Sequence, residues 1–211
     1  SYTYTTGSIT NGSVVTTIGK KNTCSSNTTN AITITVVPIP QADPGTIAPL
    51  CSDANAAVLN GIMLRYLDYN DVYVVTVGKG VAGGHLSEII PGALALAEQH
   101  HIDGKRLLCA MVVGYELQAR MLHACGSASF AQRGWNTDSR GAIVMPIVGG
   151  LLLDLTEEQM VNAVGISAST GMILGILDTD EEANTLAKNF RFPSATHRAL
   201  MAVYLAQEGF T

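Results

Sequence analysis

The stretch DSRGAIVMPIVGGLLLDLTEEQMVNAVGISAST, residues 138–170, decides the fold class of this chain. It contains most of two apolar segments, residues 139–153 and 157–177. Thr156 and Gln159 have the spacing of a capping box, in which two side chains satisfy the first free N–H groups of a helix. Because both segments are apolar nearly all round, we expect two helices buried at the centre of the fold. Such helices need more covering protein than a chain of this length easily provides, which indicates a larger domain or a dimer.

Capping residues divide the rest of the sequence into further helices. Those predicted helices begin at Ser52 or Asp53, at Ser87, at Asp103 (ending near His123), at Asp138 or Ser139, at Thr156 and at Ser194 (ending at Gly209). No convincing strand separates them, so we expect an all-α helical bundle over residues 52–211. Pro146 should kink the fourth helix, and Gly149 with Gly150 suits close packing against a neighbour.

The N-terminal segment, residues 1–51, differs in composition from the rest. Its first 35 residues contain 16 Ser or Thr, and the only charges before Asp43 are Lys20 and Lys21. β-Branched residues at 13–18 and 31–37 alternate in part, which is typical of short strands. We therefore expect a Ser/Thr-rich irregular segment with one or two short strands ahead of the helical domain.

Composition excludes several classes of protein. The chain has 211 residues, 47% hydrophobic and 14% charged, with a formal net charge of −5. Such a chain folds, and it lacks the basic patch that nucleic acid or an anionic membrane surface requires. No apolar stretch suits a membrane span, and the N-terminus lacks the pattern of a secretory signal. The four cysteines form no C-x-x-C pair, so we expect no metal site and free thiols in a reducing compartment, cytoplasmic with a mitochondrial location as the alternative.

Three residues between the first two predicted helices are candidates for chemistry. Asp68 and Asp71 are three apart, so they share a face if the helix continues through them, and two such carboxylates bind a cation or hold a histidine. The alternative is a solvated helix terminus. The Gly-rich run 74–84 that follows lacks a phosphate-binding motif and is interpreted as a flexible loop. His85 precedes a helix N-terminus, which favours an uncharged imidazole able to act as a base; the alternative is a cap or packing role.

A second group of candidates consists of cations near the last helix. Lys188 and Arg191 are three apart, with His197 and Arg198 nearby. Next to the N-terminus of a helix capped by Ser194, they would form a binding site for a carboxylate. The alternative is a pair of solvated surface cations. A neutral base, a carboxylate and a cationic pocket together suit proton abstraction next to a substrate carboxylate.

An ordered series of short motifs resembles the MmgE/PrpD family, which includes 2-methylcitrate dehydratase, cis-aconitate decarboxylase and iminodisuccinate epimerase. The motifs are ANAAVLNG at 54–61, LDYND at 67–71, HLS at 85–87, VVGYE at 112–116, GW at 134–135, LAK at 186–188 and LAQEGF at 205–210. The resemblance covers residues 52–211. It implies a helical domain that in a complete protein carries an α+β lid, which would lie beyond Thr211.

The resemblance also implies chemistry. Members of the family are typically homodimers that act on small di- and tricarboxylates without a metal or an organic cofactor. By motif position, His85 is implied as the acid/base group, Asp68 as the group that orients it and supplies charge, and Lys188 as a ligand of the substrate carboxylate. Arg191, Asn136 and Asp71 complete the predicted substrate-binding set.

Several positions depart from the family pattern. Asn136 stands where many members have His, and its amide cannot exchange a proton near neutral pH. Val72 replaces a common Thr, and Leu86 replaces Pro after His85. We therefore expect the helical part of a lyase that dehydrates or decarboxylates a small polycarboxylate, with the 211 residues inactive alone. The alternatives are an isomerase or epimerase on the same scaffold and a non-catalytic homologue that serves as a dimerisation module.

Overall fold

The computed structural model describes residues 15–17, 32–34, 52–78, 80–175 and 185–211. The chain divides into two units, Ser1–Ala48 and Pro49–Thr211. The first unit contains an antiparallel pair, β1 (Val15–Thr17) and β2 (Ile32–Ile34). Both strands lie inside the segments predicted to be short strands. The remainder of the predicted irregular segment lies outside the described residues.

The second unit is built mainly from helices, as the sequence predicts. Within the described ranges it contains α1 (Asp53–Arg65), α2 (Ile90–Gln99), α3 (Gly104–Ala131), α4 (Gly141–Leu152), α5 (Glu157–Thr170) and α6 (Arg191–Gln207). Three short 3₁₀ turns precede α2, α4 and α6, at Leu86–Ile89, Thr137–Arg140 and Leu186–Phe190. Helix α4 packs against α3, α5 and α6, and α1 packs against α2 and α6. Along these described helices, no segment has both the length and the apolar character that crossing a membrane requires.

Three predicted helix starts are confirmed by their caps. The Ser52 hydroxyl accepts a hydrogen bond from the Asn55 N–H at the start of α1. The Asp103 carboxylate accepts from the first turn of α3. Thr156 and Gln159 form the reciprocal capping box of α5. A side-chain oxygen that satisfies an otherwise unpaired N–H fixes where each helix begins.

Other predicted boundaries are wrong. Helix α6 begins at Arg191, so Ser194 lies inside its first turn and donates to the Arg191 carbonyl oxygen at 2.7 Å instead of capping the helix. Pro193 permits this earlier start, because proline needs no intrahelical N–H partner in a first turn. Helix α3 continues past His123 to Ala131. Ser87 lies within the 3₁₀ turn ahead of α2, which itself begins at Ile90.

The predicted flexible loop over residues 74–84 is instead a β-hairpin. Strands β3 (Tyr73–Val77) and β4 (Gly80–Gly84) pair antiparallel, from Tyr73 opposite Gly84 to Val77 opposite Gly80. Two residues connect them, and the first, Gly78, has a φ of 61°, which a two-residue hairpin turn requires. The β-branched residues of β3 supply the strand propensity that the neighbouring glycines obscure. Ala82 packs with Leu86 and Leu122, so the hairpin lies against α3.

The main core lies around α4 and is close-packed. Its fully or almost fully buried members include Ile89, Leu96, Val144, Met145, Val148, Leu152, Phe192 and Leu200. The predicted close approach at Gly149 is confirmed, because a Cβ there would lie 3.2–3.4 Å from Val203, Leu200 and Leu96. The predicted central burial holds for α4 but not for α5, which ends at Thr170 and buries only Ala163 and Ser167. Its polar residues leave one face of α5 in solvent.

Candidate functional site

Asp68 lies in the loop between α1 and β3, where it contacts a residue from the far end of the chain. Its backbone has a φ of 55°, a left-handed conformation that Asp tolerates better than most residues. Its Oδ2 accepts a hydrogen bond from Lys188 Nζ at 2.9 Å, and its Oδ1 lies 3.2 Å from an Arg65 guanidinium nitrogen. Both the Asp68 and Lys188 side chains remain partly exposed. Two of the predicted site residues therefore meet directly.

The surroundings of Asp68 keep its carboxylate ionised. The hydrogen bond from Lys188 lowers the pKa of Asp68, and the charges of Arg65, Lys188 and His85 lower it further. Partial burial opposes this shift, because desolvation disfavours the charged form. An ionised carboxylate therefore lies within electrostatic range of His85.

Asp71 lies in the same loop and contacts the main chain of the turn after His85. Since α1 ends at Arg65, Asp68 and Asp71 do not share a helix face. The two carboxylate oxygens of Asp71 accept hydrogen bonds from the Ser87 and Leu86 N–H groups at 3.0 and 3.2 Å. Asp71 thus caps the turn that leads into α2, at a distance of 15 residues along the chain.

His85 lies between β4 and this turn, with its imidazole oriented by the same loop. Its Nδ1 lies 2.6 Å from the Asp71 carbonyl oxygen. A carbonyl oxygen only accepts, so Nδ1 carries the proton in this contact, and the neutral form of the ring then has Nε2 as its acceptor. The His85 side chain makes no capping bond to the turn that follows. Asp71 therefore takes the capping role, and His85 has the tautomer of a base.

A chain of alternating charges runs inward from Asp68. Arg65 contacts both Asp68 and Glu88, with its Nη1 2.7 Å from Glu88 Oε1. Arg140 Nη2 lies 3.3 Å from the other carboxylate oxygen of Glu88, Oε2. The seven residues of this ion chain are, in order, Lys188, Asp68, Arg65, Glu88, Arg140, Asp138 and Arg191. The ion chain contains four basic and three acidic side chains.

The middle of the ion chain is removed from water. Glu88 is 4% exposed and Arg140 is fully buried. Burial, followed by the charge of Asp138, raises the pKa of Glu88, and the guanidinium groups of Arg140 and Arg65 oppose that rise. The sequence analysis did not predict Arg65, Glu88, Asp138 or Arg140 as site residues. The available signal is Arg140, a charged residue directly before a wholly apolar helix, because a charge buried there needs partners.

The remaining predicted site residues, Arg191 and Asn136, belong to the inner end of the ion chain. Arg191 Nε lies 3.0 Å from Asp138 Oδ2, and both side chains are buried. Asn136 is 7% exposed, and its side-chain oxygen accepts from the Asp138 N–H at 2.9 Å. Both residues therefore contact Asp138, at the opposite end of the chain of charges from Asp68 and Lys188.

An apolar groove lies beside this site. It has a volume of about 690 Å³ and runs between the hairpin and α3, lined by Tyr73, Leu86, Ile90, Leu108, Met111, Val112, Tyr115, Glu116 and Ala119. None of the six predicted site residues lines it, although Leu86 follows His85 directly. Burial and the charge of Asp71 raise the pKa of Tyr115 in its wall, so this phenol stays protonated.

The described residues hold two free thiols and no group of potential metal ligands. Across residues 52–78, 80–175 and 185–211, no three His, Cys, Asp or Glu side chains are grouped so that they could hold a metal ion. Cys109 and Cys125 are free and exposed. The other two cysteines, Cys24 and Cys51, lie outside the described residues.

Comparisons with known proteins extend over most of the chain. A model of the MmgE/PrpD N-terminal domain matches residues 10–211, which includes most of the Ser/Thr-rich segment. A cis-aconitate decarboxylase-like protein of Aspergillus oryzae is 24% identical over 163 residues. That alignment covers 74% of this chain and 32% of the relative, so the matched part spans about a third of the relative's length.

Proposed function

Because this chain belongs to the MmgE/PrpD family, we propose that it is the helical part of a lyase that dehydrates or decarboxylates a small di- or tricarboxylate. The name of the Aspergillus relative supports a reaction of this type. The observation that carries the proposal is the hydrogen bond between His85 Nδ1 and the Asp71 carbonyl oxygen, because it leaves Nε2 as a base.

The proposed mechanism assigns one task to each group. In a dehydration, His85 Nε2 removes a proton next to a substrate carboxylate, the C–H electron pair forms the double bond, and hydroxide leaves the adjacent carbon. In a decarboxylation, His85 Nε2 first takes a proton from solvent, and after CO₂ leaves, the electron pair that remains on carbon takes this proton from the imidazolium. The ionised Asp68 stabilises the imidazolium in either case, since an opposite charge nearby favours the charged form.

Lys188 is proposed as the ligand of a substrate carboxylate. Its ammonium group has three N–H donors, and Asp68 accepts one of them at 2.9 Å. A substrate carboxylate that reaches Lys188 and Arg65 would gain charge-assisted hydrogen bonds. In this proposal Arg191, Asn136 and Asp71 act indirectly. Arg191 and Asn136 hold Asp138 in place, and Asp71 holds the turn at Leu86.

The experiment is product analysis in D₂O with the complete protein that contains this chain. Methylcitrate, cis-aconitate and iminodisuccinate are each incubated with it and followed by NMR. A new alkene or released CO₂ supports the lyase. Incorporation of deuterium without elimination overturns the lyase in favour of an isomerase or epimerase of the same scaffold, since that reaction only returns the proton.

We also propose that the chain forms a homodimer through the groove and the exposed face of α3. Leu108 and Val112 line the groove and are 63% and 67% exposed, and exposed apolar side chains grouped in this way are typical of interfaces. Light scattering of wild type and Val112→Glu measures the association. A monomeric wild type contradicts the dimer. A dimer that gives no heat with any of the three acids in calorimetry favours the non-catalytic dimerisation module.

A further inference from the structure

Arg140 is fully buried, and each nitrogen of its guanidinium group has a hydrogen-bond acceptor. Its Nε donates to Gln118 Oε1 at 2.8 Å and its Nη1 donates to the Thr137 carbonyl oxygen at 2.9 Å. Its Nη2 lies 3.3 Å from both the His85 carbonyl oxygen and Glu88 Oε2. The guanidinium also lies 5.8 Å from the centre of the Phe192 ring. A fully buried guanidinium is stable only with such partners, so the position of this group is tightly fixed.

Gln118, in the middle of α3, holds the main chain of Leu86, the residue after His85. It is fully buried, and while its Oε1 accepts from Arg140, its Nε2 donates to the Leu86 carbonyl oxygen at 2.8 Å. The carbonyl oxygens of His85 and of the residue after it are therefore both held by one Arg140–Gln118 pair.

Gly84, the residue before His85, also lies against the Arg140 guanidinium. A Cβ at Gly84 would lie 2.7 Å from Arg140 Cζ and Nη2, closer than real Cβ atoms approach other heavy atoms. Only glycine at position 84 lets the guanidinium lie against the backbone that leads into His85. Three residues from β4, α3 and the turn before α4 thus converge on the main chain that carries the imidazole.

From this convergence we propose that Arg140 and Gln118 are positioning residues, which fix the backbone at 85–86 so that His85 keeps its Nδ1 hydrogen bond and presents Nε2 as the acceptor. The inference rests on the proposed function only in taking His85 as the base. Arg140 also bonds Glu88, which pairs with Arg65 and through it with Asp68. The buried Arg140 side chain therefore fixes the position of the His85 imidazole relative to the Asp68 carboxylate.

A lysine cannot replace Arg140 in this role. Its single nitrogen carries three donors on one flexible stem, whereas the planar fork of Arg140 reaches Gln118, Thr137 and His85 at once. Gln118→Met keeps the length and volume of the side chain but loses both the acceptor for Arg140 and the donor for Leu86. The two substitutions loosen the same backbone from opposite sides.

The test is an NMR measurement of the His85 ring tautomer in the full chain, assigned by comparison with His85→Gln. Wild type is expected to show the Nδ1–H tautomer. Arg140→Lys and Gln118→Met are expected to shift it to a mixture of tautomers, while His123, whose ring bonds Tyr73 instead, stays unchanged. Arg120→Lys, on the exposed side of α3, is the matched control. If either variant fails to unfold cooperatively, Gly84→Ala supplies a second route, because its new methyl group displaces the guanidinium.

An unchanged His85 tautomer in the folded variants would overturn the positioning role. Activity of the complete protein gives an independent readout, in which Arg140→Lys and Gln118→Met lower kcat about 10- to 100-fold and leave KM nearly unchanged. The other combination is full activity of His85→Gln with a shifted His85 tautomer in Arg140→Lys and Gln118→Met. That result would overturn the proposed function and leave the positioning role intact. The two failures are therefore distinguishable.

Discussion

The amine of Lys188 lies 2.9 Å from the carboxylate of Asp68, although 120 positions separate the two residues in the chain. The contact joins the loop after α1 to the turn before α6. Because Asp68 also contacts Arg65, the Lys188–Asp68 pair forms the solvent-facing end of the ion chain. Through Arg65, Glu88 and Arg140, the ion chain connects this pair to Asp138 and Arg191.

Replacing Lys188 should raise the pKa of Asp68. The Lys188 hydrogen bond is the main cause that lowers this pKa, so Lys188→Ala should move it back toward the usual value of 3.8. Titration of the Asp68 carboxyl carbon by NMR measures the change. Lys105→Ala, an exposed lysine on α3, is the control and should leave it unaltered.

The same pair predicts a pH dependence of stability. A carboxyl group whose pKa is lower in the folded state stabilises the fold above its ordinary pKa, and this contribution is lost as the pH falls through the lowered value. Asp68→Asn should therefore reduce the acid-side slope of the free energy of unfolding below about pH 4. A slope identical to that of wild type would show that Lys188 does not bind Asp68 in solution.

Removing Glu88 should destabilise the domain strongly. Glu88→Ala leaves the buried Arg65 and Arg140 without their shared carboxylate, which costs about 3–5 kcal/mol for a broken buried pair. Glu116→Ala breaks the exposed Glu116–Arg120 pair and should cost about 0.5 kcal/mol or less. Urea unfolding of both variants measures the difference. Equal losses would contradict a buried ion chain.

Tyr204 ties α6 to the start of α1. Its hydroxyl donates to Asp53 and lies 3.0 Å from His100 Nε2. Burial and the Asp53 carboxylate raise the pKa of Tyr204, so the donor keeps its proton. Tyr204→Phe should lower the free energy of unfolding by about 1–2 kcal/mol, since it leaves Asp53 short of a partner. Tyr69→Phe, at a residue 90% exposed, should change it by less than about 0.5 kcal/mol.

Two helical glycines should respond to alanine in opposite directions. A Cβ at Gly114 would lie 2.4 Å from Ile89 and 2.7 Å from Val148, so Gly114→Ala should destabilise by about 1–3 kcal/mol through overpacking. A Cβ at Gly165 meets nothing within 4 Å, and Gly165→Ala should stabilise by about 0.5–1 kcal/mol through helix propensity. Thermal unfolding of the pair tests the packing of α3 on the core. A tolerated Gly114→Ala would contradict it.

The helices are predictable from sequence because their signals are local. Thr156 and Gln159 bond each other across one turn, and Ser52 bonds a residue three positions away. The hairpin is not recognised, because the glycines of β4 carry no strand propensity, and the buried Ala82 gives too short a signal alone. The start of α6 is misplaced because Ser194 and Arg191 both suit a first turn, and only the tertiary position of Arg191 decides between them.

The outer half of the candidate site is predictable, and the inner half is not. Asp68, His85 and Lys188 belong to motifs that the family resemblance marks. Glu88 and Arg140 belong to none, and their pairing depends on how α2 packs near the turn before α4, which is a long-range relation. Asp71 is recognised as a charged residue, but its capping of a turn 15 residues away depends on the hairpin that intervenes.

The assignment of His85 as the base can be checked by turnover in D₂O. The complete protein is incubated with methylcitrate or cis-aconitate in D₂O as wild type, His85→Gln and His123→Gln, and turnover is followed by NMR. We expect His85→Gln to lose turnover by at least about 100-fold while it unfolds at the wild-type temperature, and His123→Gln to retain it. Turnover by His85→Gln at the wild-type rate would show that His85 is not the base.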